Sequence, residues 1–288
     1  SFWYKVYEPF IRKAAGLGVA SIKHDKERYE HKYEYCDLLV AGSGPSGLAS
    51  AYAAAKNGAR VILAEDKPRF GGSLLTSEVN IGNQSGKEWA DNIISELKEM
   101  PNVIVKNRSQ VFGYYDHNML VMSEKLSDHL PKTKKYNPKQ RLWYIRAKEV
   151  VISSGSIERP LVFGNNDTPG VMLSSAAKEY LKVYGVLVGK KPLIFTNNDS
   201  GYETAIEFKK NGVDPVVLDT RKELKSEIID EAKKLNIQIK FSYVVVAAKG
   251  YKKVKSAEVA KISDDKKKLG ALENINCDCI CVSGFWTP

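Results

Sequence analysis

The chain has 288 residues, 43% hydrophobic and 27% charged, ordinary values for a folded globular protein that exclude wholesale disorder. Its apolar runs stop well short of the roughly 20 residues a spanning helix needs, so no membrane crossing is expected. Net charge is +10, yet the lysines lie among acidic neighbours and no stacking-aromatic motif accompanies them, which argues against a nucleic-acid partner.

The first residue is not methionine and the opening lacks the order of a signal peptide, so the chain is expected to begin inside something longer. Trp3, Tyr7, Phe10 and Ala14 recur at helical spacing ahead of Gly16 and Gly18, and residues 19–34 are polar. Residues 1–34 are therefore expected to form a helix and an arm. From Tyr35 the pattern becomes strand (38–40), glycine turn (42–47), helix (48–56) and strand (61–64), which opens a βαβ unit. A helix carrying Trp89, Ile93 and Leu97 ends at Pro101 and leads to a strand at 103–105. Antiparallel strands are predicted at 111–115, 120–122 and 142–145, the last two separated by the polar loop HLPKTKKYNPKQ, followed by a strand at 150–153.

A second α/β series starts at Ser174, with helices at 175–184, 202–210 and 222–235 and strands at 193–195 and 216–218. Strands near 243–248, 254–259 and 277–282 close the chain. The order implies an α/β, glutathione-reductase-like FAD/NAD(P)-binding fold with a second Rossmann-like domain inserted in the first. The expected division is 35–165 plus 268–288 for the first domain and 166–267 for the inserted one.

The sharpest chemical signal is AGSGPSG at 41–47, a GxGxxG directly after an apolar strand and before a helix. Gly42 permits the tight turn, Gly44 lets the backbone approach a diphosphate, and Gly47 lets helix and strand pack closely. Pro45 and Ser46 fall on the first helical turn, whose N–H groups favour an anion. At the end of the second strand, Glu65 and Asp66 are placed to accept hydrogen bonds from an adenosine ribose and to repel a 2′-phosphate, which favours NAD or FAD over NADP. Two solvated acids at a strand end are the other reading. Gly71, Gly72 and Ser73 form a second small-residue turn that can approach the same diphosphate. Val111 reads equally as an adenine-side or a core residue, and Gly155 and Gly284 either pass a cofactor or simply turn the chain.

The corresponding turn of the second unit, TNNDSGYETA, carries side chains where a diphosphate needs none, so that site is expected to be degenerate. His24, His31, His117 and His129 have no triad partners, and Cys36, Cys277, Cys279 and Cys281 have no CxxC spacing. No catalytic or metal-binding residues are therefore expected, and reduced thiols point to a cytoplasmic location. On a strand, the three cysteines of CDCIC would share one face.

The segments SFWYKVYEPFIRKAAGLG, GPSGLASAYAAAKNGARVILAEDKPRFGGSLL, RLWYIRAKEVVISSGSIERPLVFGNNDTPGVMLSSAAKEYL, IFTNNDSGYETA and CVSGFWTP resemble the α subunits of heterotetrameric sarcosine oxidases. The resemblance runs over essentially the whole chain and matches the central part of a longer subunit. It implies oxidative demethylation of sarcosine to glycine, with hydrogen peroxide and 5,10-methylenetetrahydrofolate formed. It further implies NAD held noncovalently by the α subunit, FAD and the substrate site on the β subunit, and FMN between them. The partners would be β, γ and δ subunits, with tetrahydrofolate bound by a C-terminal region not matched here. Position by position, the resemblance marks Ser46, Glu65, Asp66, Lys67, Ser73, Val111 and the region of Gly284 as NAD contacts. Glu65 precedes Asp66 where the family orders Asp then Glu. A chain of this kind would be an NAD-binding core without activity alone. The alternative is a free-standing FAD-dependent oxidoreductase that uses NADH.

Overall fold

A computed structural model describes residues 2–18, 20–131, 137–265 and 267–288. The centre of the polar loop, residues 132–136, lies outside the described residues.

Helix α1 (Glu8–Ala14) precedes strand β1 (Tyr29–Ala41), helix α2 (Pro45–Lys56) and strand β2 (Val61–Ala64). A short hairpin, β3 (Asn80–Ile81) and β4 (Gln84–Ser85), leads into α3 (Gly86–Glu99). Ser85 and Glu88 start α3 with a capping box, each side chain bonding the other's backbone N–H. Strands β5 (Val103–Lys106), β6 (Ser109–Tyr115), β7 (Met119–Lys125) and β8 (Gln140–Ile152) complete a six-stranded sheet of order β5-β2-β1-β8-β7-β6.

Its first four strands are parallel, and β6, β7 and β8 form an antiparallel meander. Alternation along the strands sorts the core. Val40 and Leu63 face α2 and α3 with Leu48, Ala51, Ala90 and Leu97. Leu39 and Ile62 face the other way, onto Leu120, Met122, Trp143 and Ile145.

The chain then runs through β9 (Ile157–Glu158), β10 (Val171–Leu173), α4 (Ser174–Tyr184), β11 (Pro192–Thr196), α5 (Ser200–Lys210), β12 (Val216–Asp219), α6 (Glu227–Lys234) and β13 (Gln238–Phe241). Strands β14 (Tyr243–Gly250), β15 (Val254–Ile262) and β16 (Leu269–Asn276) form a three-stranded antiparallel sheet, followed by β17 (Cys279–Ser283) and β18 (Trp286–Thr287). The second parallel sheet has the order β10-β17-β11-β12-β13. It repeats the layering of the first, with Ile194, Val217, Tyr202 and Phe208 on the helix side and Phe195, Leu218, Val245 and Val259 on the meander side.

Three expectations are corrected. Residues 29–34 are not an arm, because β1 starts at Tyr29 and pairs in parallel with β8 from Gln140 onward. Segment 268–288 does not return to the first unit as a block. β16 pairs with β15, and β17 lies between β10 and β11, where Ile280 and Val282 bury in the second core. Within the final residues, Trp286 and Thr287 pair with β9. The three clustered cysteines do not share a face either: Cys277 packs on the meander side, and Cys279 and Cys281 on the helix side. No described helix is long and apolar enough to cross a membrane.

Candidate nucleotide-binding site

The βαβ crossover from β1 through α2 to β2 sets the site, and its glycines have separable roles. Gly42 has φ +104°, and a Cβ there would lie 2.3 Å from the Ser153 carbonyl oxygen. A Cβ on Gly47 would lie 2.0 Å from the Gly42 carbonyl oxygen and 2.6 Å from Ser153 Oγ. Both glycines are therefore required by packing of the turn against the end of β8. Ser153 secures that contact by donating its hydroxyl to the carbonyls of Ala41 (3.0 Å) and Gly42 (2.9 Å).

Gly44 differs, since a Cβ built on it meets nothing within 4 Å. It is the N-cap of α2, and no side chain caps this helix. With Pro45 at the first helical position, the next N–H groups, on Ser46 and Gly47, precede the first intrahelical donor, Leu48, which bonds the Gly44 carbonyl at 2.9 Å. An uncapped, twelve-residue helix thus opens over a backbone stripped of side chains. Those N–H groups and the helix dipole suit a diphosphate.

Glu65, at the end of β2, is only 6% exposed. Its Oε2 accepts the Ser43 N–H at 2.9 Å and the Ser43 hydroxyl, and its Oε1 accepts the Lys67 N–H at 3.0 Å. A carboxylate has about four acceptor sites, so room for roughly one further donor remains, on Oε1. Burial, followed by the neighbouring Asp66 carboxyl, pushes Glu65 above its ordinary value, while the bonds from Ser43 and Lys67 pull the other way. Asp66 itself is exposed beside it. Two neighbouring carboxyls at this strand end, Glu65 and Asp66, themselves in hydrogen-bond contact, suit the two hydroxyls of a ribose, so the residues present fit the ADP half of a dinucleotide.

The remaining predicted residues divide. Gly71 donates its N–H to the Ser43 carbonyl at 3.0 Å, and a Cβ on Gly72 would lie 2.9 Å from Gly44 Cα, so this second turn closes directly on the first. Ser73 is exposed on the short 3-10 helix that follows. Val111 is half-buried on β6, two residues beyond Ser109, whose N–H bonds the Glu65 carbonyl at 2.8 Å, and its side chain packs with the meander core. Gly155 follows Ser153 with φ +78° and open space around it. Gly284 instead bonds the Arg159 carbonyl at 2.7 Å, and a Cβ there would lie 2.5 Å from the same oxygen, which accounts for the glycine by packing.

Lys67 turns away from Glu65. Its ammonium lies 2.9 Å from both carboxylate oxygens of Glu179 on α4, so it joins the two units. Burial works against its charge, but Glu179 more than offsets it and the Lys67 pKa is raised. Sequence reasoning missed Ser43 and Ser153, which brace the turn. Neither stands at a glycine position of the motif, so the spacing gave no signal for them.

A family model described as pyridine nucleotide-disulphide oxidoreductase matches residues 36–284. The chain belongs to this oxidoreductase family. It is 40% identical over 293 residues to a sarcosine oxidase subunit alpha of Rhizobium meliloti (strain 1021), covering 99% of this chain and 28% of the relative. The corresponding subunit of Corynebacterium sp. (strain U-96) is 33% identical over 276 residues, with 95% and 29% covered. The chain therefore spans less than a third of the length of these relatives. A solved thioredoxin reductase of Lactococcus lactis has the same fold, with a TM-score of 0.64 at 17% identity over 88% of this chain and 78% of that one.

In this member of the pyridine nucleotide-disulphide oxidoreductase family, the second turn is filled by its own side chains. The Thr196 hydroxyl bonds the backbone of Asn198 in both directions, at 2.8 and 3.1 Å. Asn198 Oδ1 accepts the Ser200 N–H, the first of α5, at 2.9 Å, and its Nδ2 donates to Ser283. The last residue of β12, the fully buried Asp219, stands at the strand end as Glu65 does in the first unit. It is saturated by Tyr202 (2.8 Å) and by the N–H and guanidinium of Arg221. The Ser200 N–H and the Asp219 carboxylate, the counterparts of the Ser46 N–H and Glu65, are already paired.

Proposed function

We propose that the chain is the NAD-binding core of the α subunit of a sarcosine oxidase-type complex, noncatalytic alone. Within the complex it would serve oxidative demethylation of sarcosine to glycine. The observation that carries the reading is the uncapped start of α2 over the open Gly44, flanked by Glu65 and Asp66. Gly42, Gly44, Pro45, Ser46, Gly47, Gly72 and Ser73 would surround the diphosphate, and Glu65 and Asp66 would accept from the adenosine ribose. Val111 and Gly155 would line the flanks. The flavins, the substrate site and the folate would belong to partner subunits or to regions beyond the matched part.

FAD carries the same ADP half as NAD, so the first turn suits both. The alternative, a free-standing flavoenzyme oxidising NADH, needs a second turn for the pyridine nucleotide. The self-bonded Thr196–Asn198–Ser200 turn argues against it. Mass spectrometry of the small molecules released on denaturing the purified chain tests the choice. NAD from a colourless protein is expected; FAD from a yellow one would overturn the reading.

A further inference from the structure

Ser43, the second residue of the glycine turn, is fully buried. Its N–H and hydroxyl both donate to Glu65 Oε2, and its carbonyl accepts the Gly71 N–H. One residue therefore ties the glycine turn, the strand-end acid and the Gly71–Gly72 turn together. Diphosphate binding by backbone amides asks for no side chain at this position, and alanine or glycine would serve the turn equally. The hydroxyl acts on Glu65 instead.

The groups facing Glu65 are few. Asp66 adjoins it and disfavours its charge. Lys67 gives it a backbone N–H but sends its ammonium to Glu179. On the neighbouring strand, Lys106 offers Glu65 only its carbonyl and sends its ammonium to Glu124 at 3.0 Å. Arg108, in the turn after β5, bonds the Lys67 carbonyl through its N–H. No cationic side chain among these is bonded to the Glu65 carboxylate, so its charge is held by hydrogen bonds; of the side chains bonded to it, the Ser43 hydroxyl favours the charged form and the Asp66 carboxyl opposes it.

We propose that Ser43 is the positioning residue that keeps Glu65 ionised and its free lone pair aimed at the adenosine ribose. It thereby sets the preference for NAD over its 2′-phosphorylated counterpart. The inference rests on the reading of the first turn as the NAD site. An ionised Glu65 accepts from a ribose hydroxyl and repels a 2′-phosphate; a protonated one does the first weakly and the second not at all.

The test uses the 288-residue chain and its Ser43→Ala, Ser43→Gly and Glu65→Gln variants. The Glu65 carboxyl is titrated by 13C NMR without nucleotide, and NAD and NADP binding are measured by calorimetry across pH. In both Ser43 variants the Glu65 midpoint is expected to rise by about one pH unit, on the scale of one lost charge-assisted bond. The pH at which NAD affinity falls should rise with it, and the NADP-to-NAD ratio of Kd should narrow about tenfold near that midpoint. Glu65→Gln should flatten the pH dependence. An unmoved Glu65 midpoint in the Ser43 variants, with NAD still bound, overturns the role of Ser43. A raised midpoint in a chain that binds neither nucleotide overturns the NAD reading and the inference with it. Ser43→Gly decides if Ser43→Ala does not fold.

Discussion

Alanine in place of Gly44 separates folding from binding. Gly44 has φ −66° and ψ −179°, a backbone any residue adopts, and a methyl built there meets no heavy atom within 4 Å. The folded chain accommodates Gly44→Ala without strain. Removing glycine's freedom from the unfolded state adds ~0.4–1 kcal/mol of stability. The same methyl would stand where the proposed diphosphate would reach the Ser46 and Gly47 N–H groups. Losing one hydrogen bond to a charged group costs about 1.5–3 kcal/mol. At 1.4 kcal/mol per decade, that is roughly a 10- to 150-fold rise in Kd. Thermal unfolding of the unliganded variant and calorimetry with NAD check the two halves. The expected outcome is a melting temperature at or slightly above wild type together with the loss of affinity. Wild-type affinity at wild-type stability would refute the placement of the diphosphate over this turn.

Gly47→Ala is the converse: its methyl would lie 2.0 Å from the Gly42 carbonyl oxygen, so the turn must shift, at a cost of about 1–3 kcal/mol, read as a lower urea midpoint without ligand. Asp219→Ala leaves the Arg221 guanidinium and Tyr202 hydroxyl without their buried acceptor and should destabilise by about 3–5 kcal/mol in chemical denaturation; a loss below about 1 kcal/mol would contradict the saturated second turn. All four cysteines are buried, and burial, reinforced by Asp37 and Cys279 respectively, pushes Cys36 and Cys277 up to about 12. The native chain should therefore give no thiol titre with an aromatic disulfide at pH near 8, and the denatured chain four. Because these two thiols keep their protons longer in the folded than in the unfolded chain, their contribution is complete below pH 9 and declines as the pH climbs toward 12.

How much of this was legible in sequence depended on whether the signal was local. The first glycine turn carries its meaning in six consecutive residues, and Gly42, Gly44 and Gly47 have the environments that their spacing implied. That the second turn holds side chains where the first has glycines was readable for the same reason. Pairing partners were not. The run YEHKYE has no apolar alternation, so nothing marked residues 29–34 as strand; they are ordered by pairing with Gln140–Ile145, with Tyr33 stacked on Tyr144 at 5.0 Å. The apolar run of β17 announced a buried strand but not which sheet it joined; its parallel pairing of Cys279–Ser283 with Pro192–Thr196 places it beside β11. The bracing of Glu65 by Ser43 spans 22 residues and depends on the two strands lying in register, which no motif records.

The two turns dissect what each glycine is for. In the second unit the third position of the motif is still glycine, Gly201, because a Cβ there would lie 2.7 Å from the Thr196 side chain on the preceding strand. The first two positions carry Thr196 and Asn198, whose side chains bond the turn to itself and take up the Ser200 N–H at the start of α5. The third glycine is thus needed for close packing in both units, the first only where, as at Gly42, the turn packs on the neighbouring strand end, and the second, Gly44, is the one that packing does not require. With one turn open and one filled, the proposed dinucleotide position is the first turn alone. A nucleotide there cannot exchange a hydride with a second one in the same chain. On the proposed reading, the electron acceptor or donor would be supplied from outside these residues, as the core of a larger complex requires.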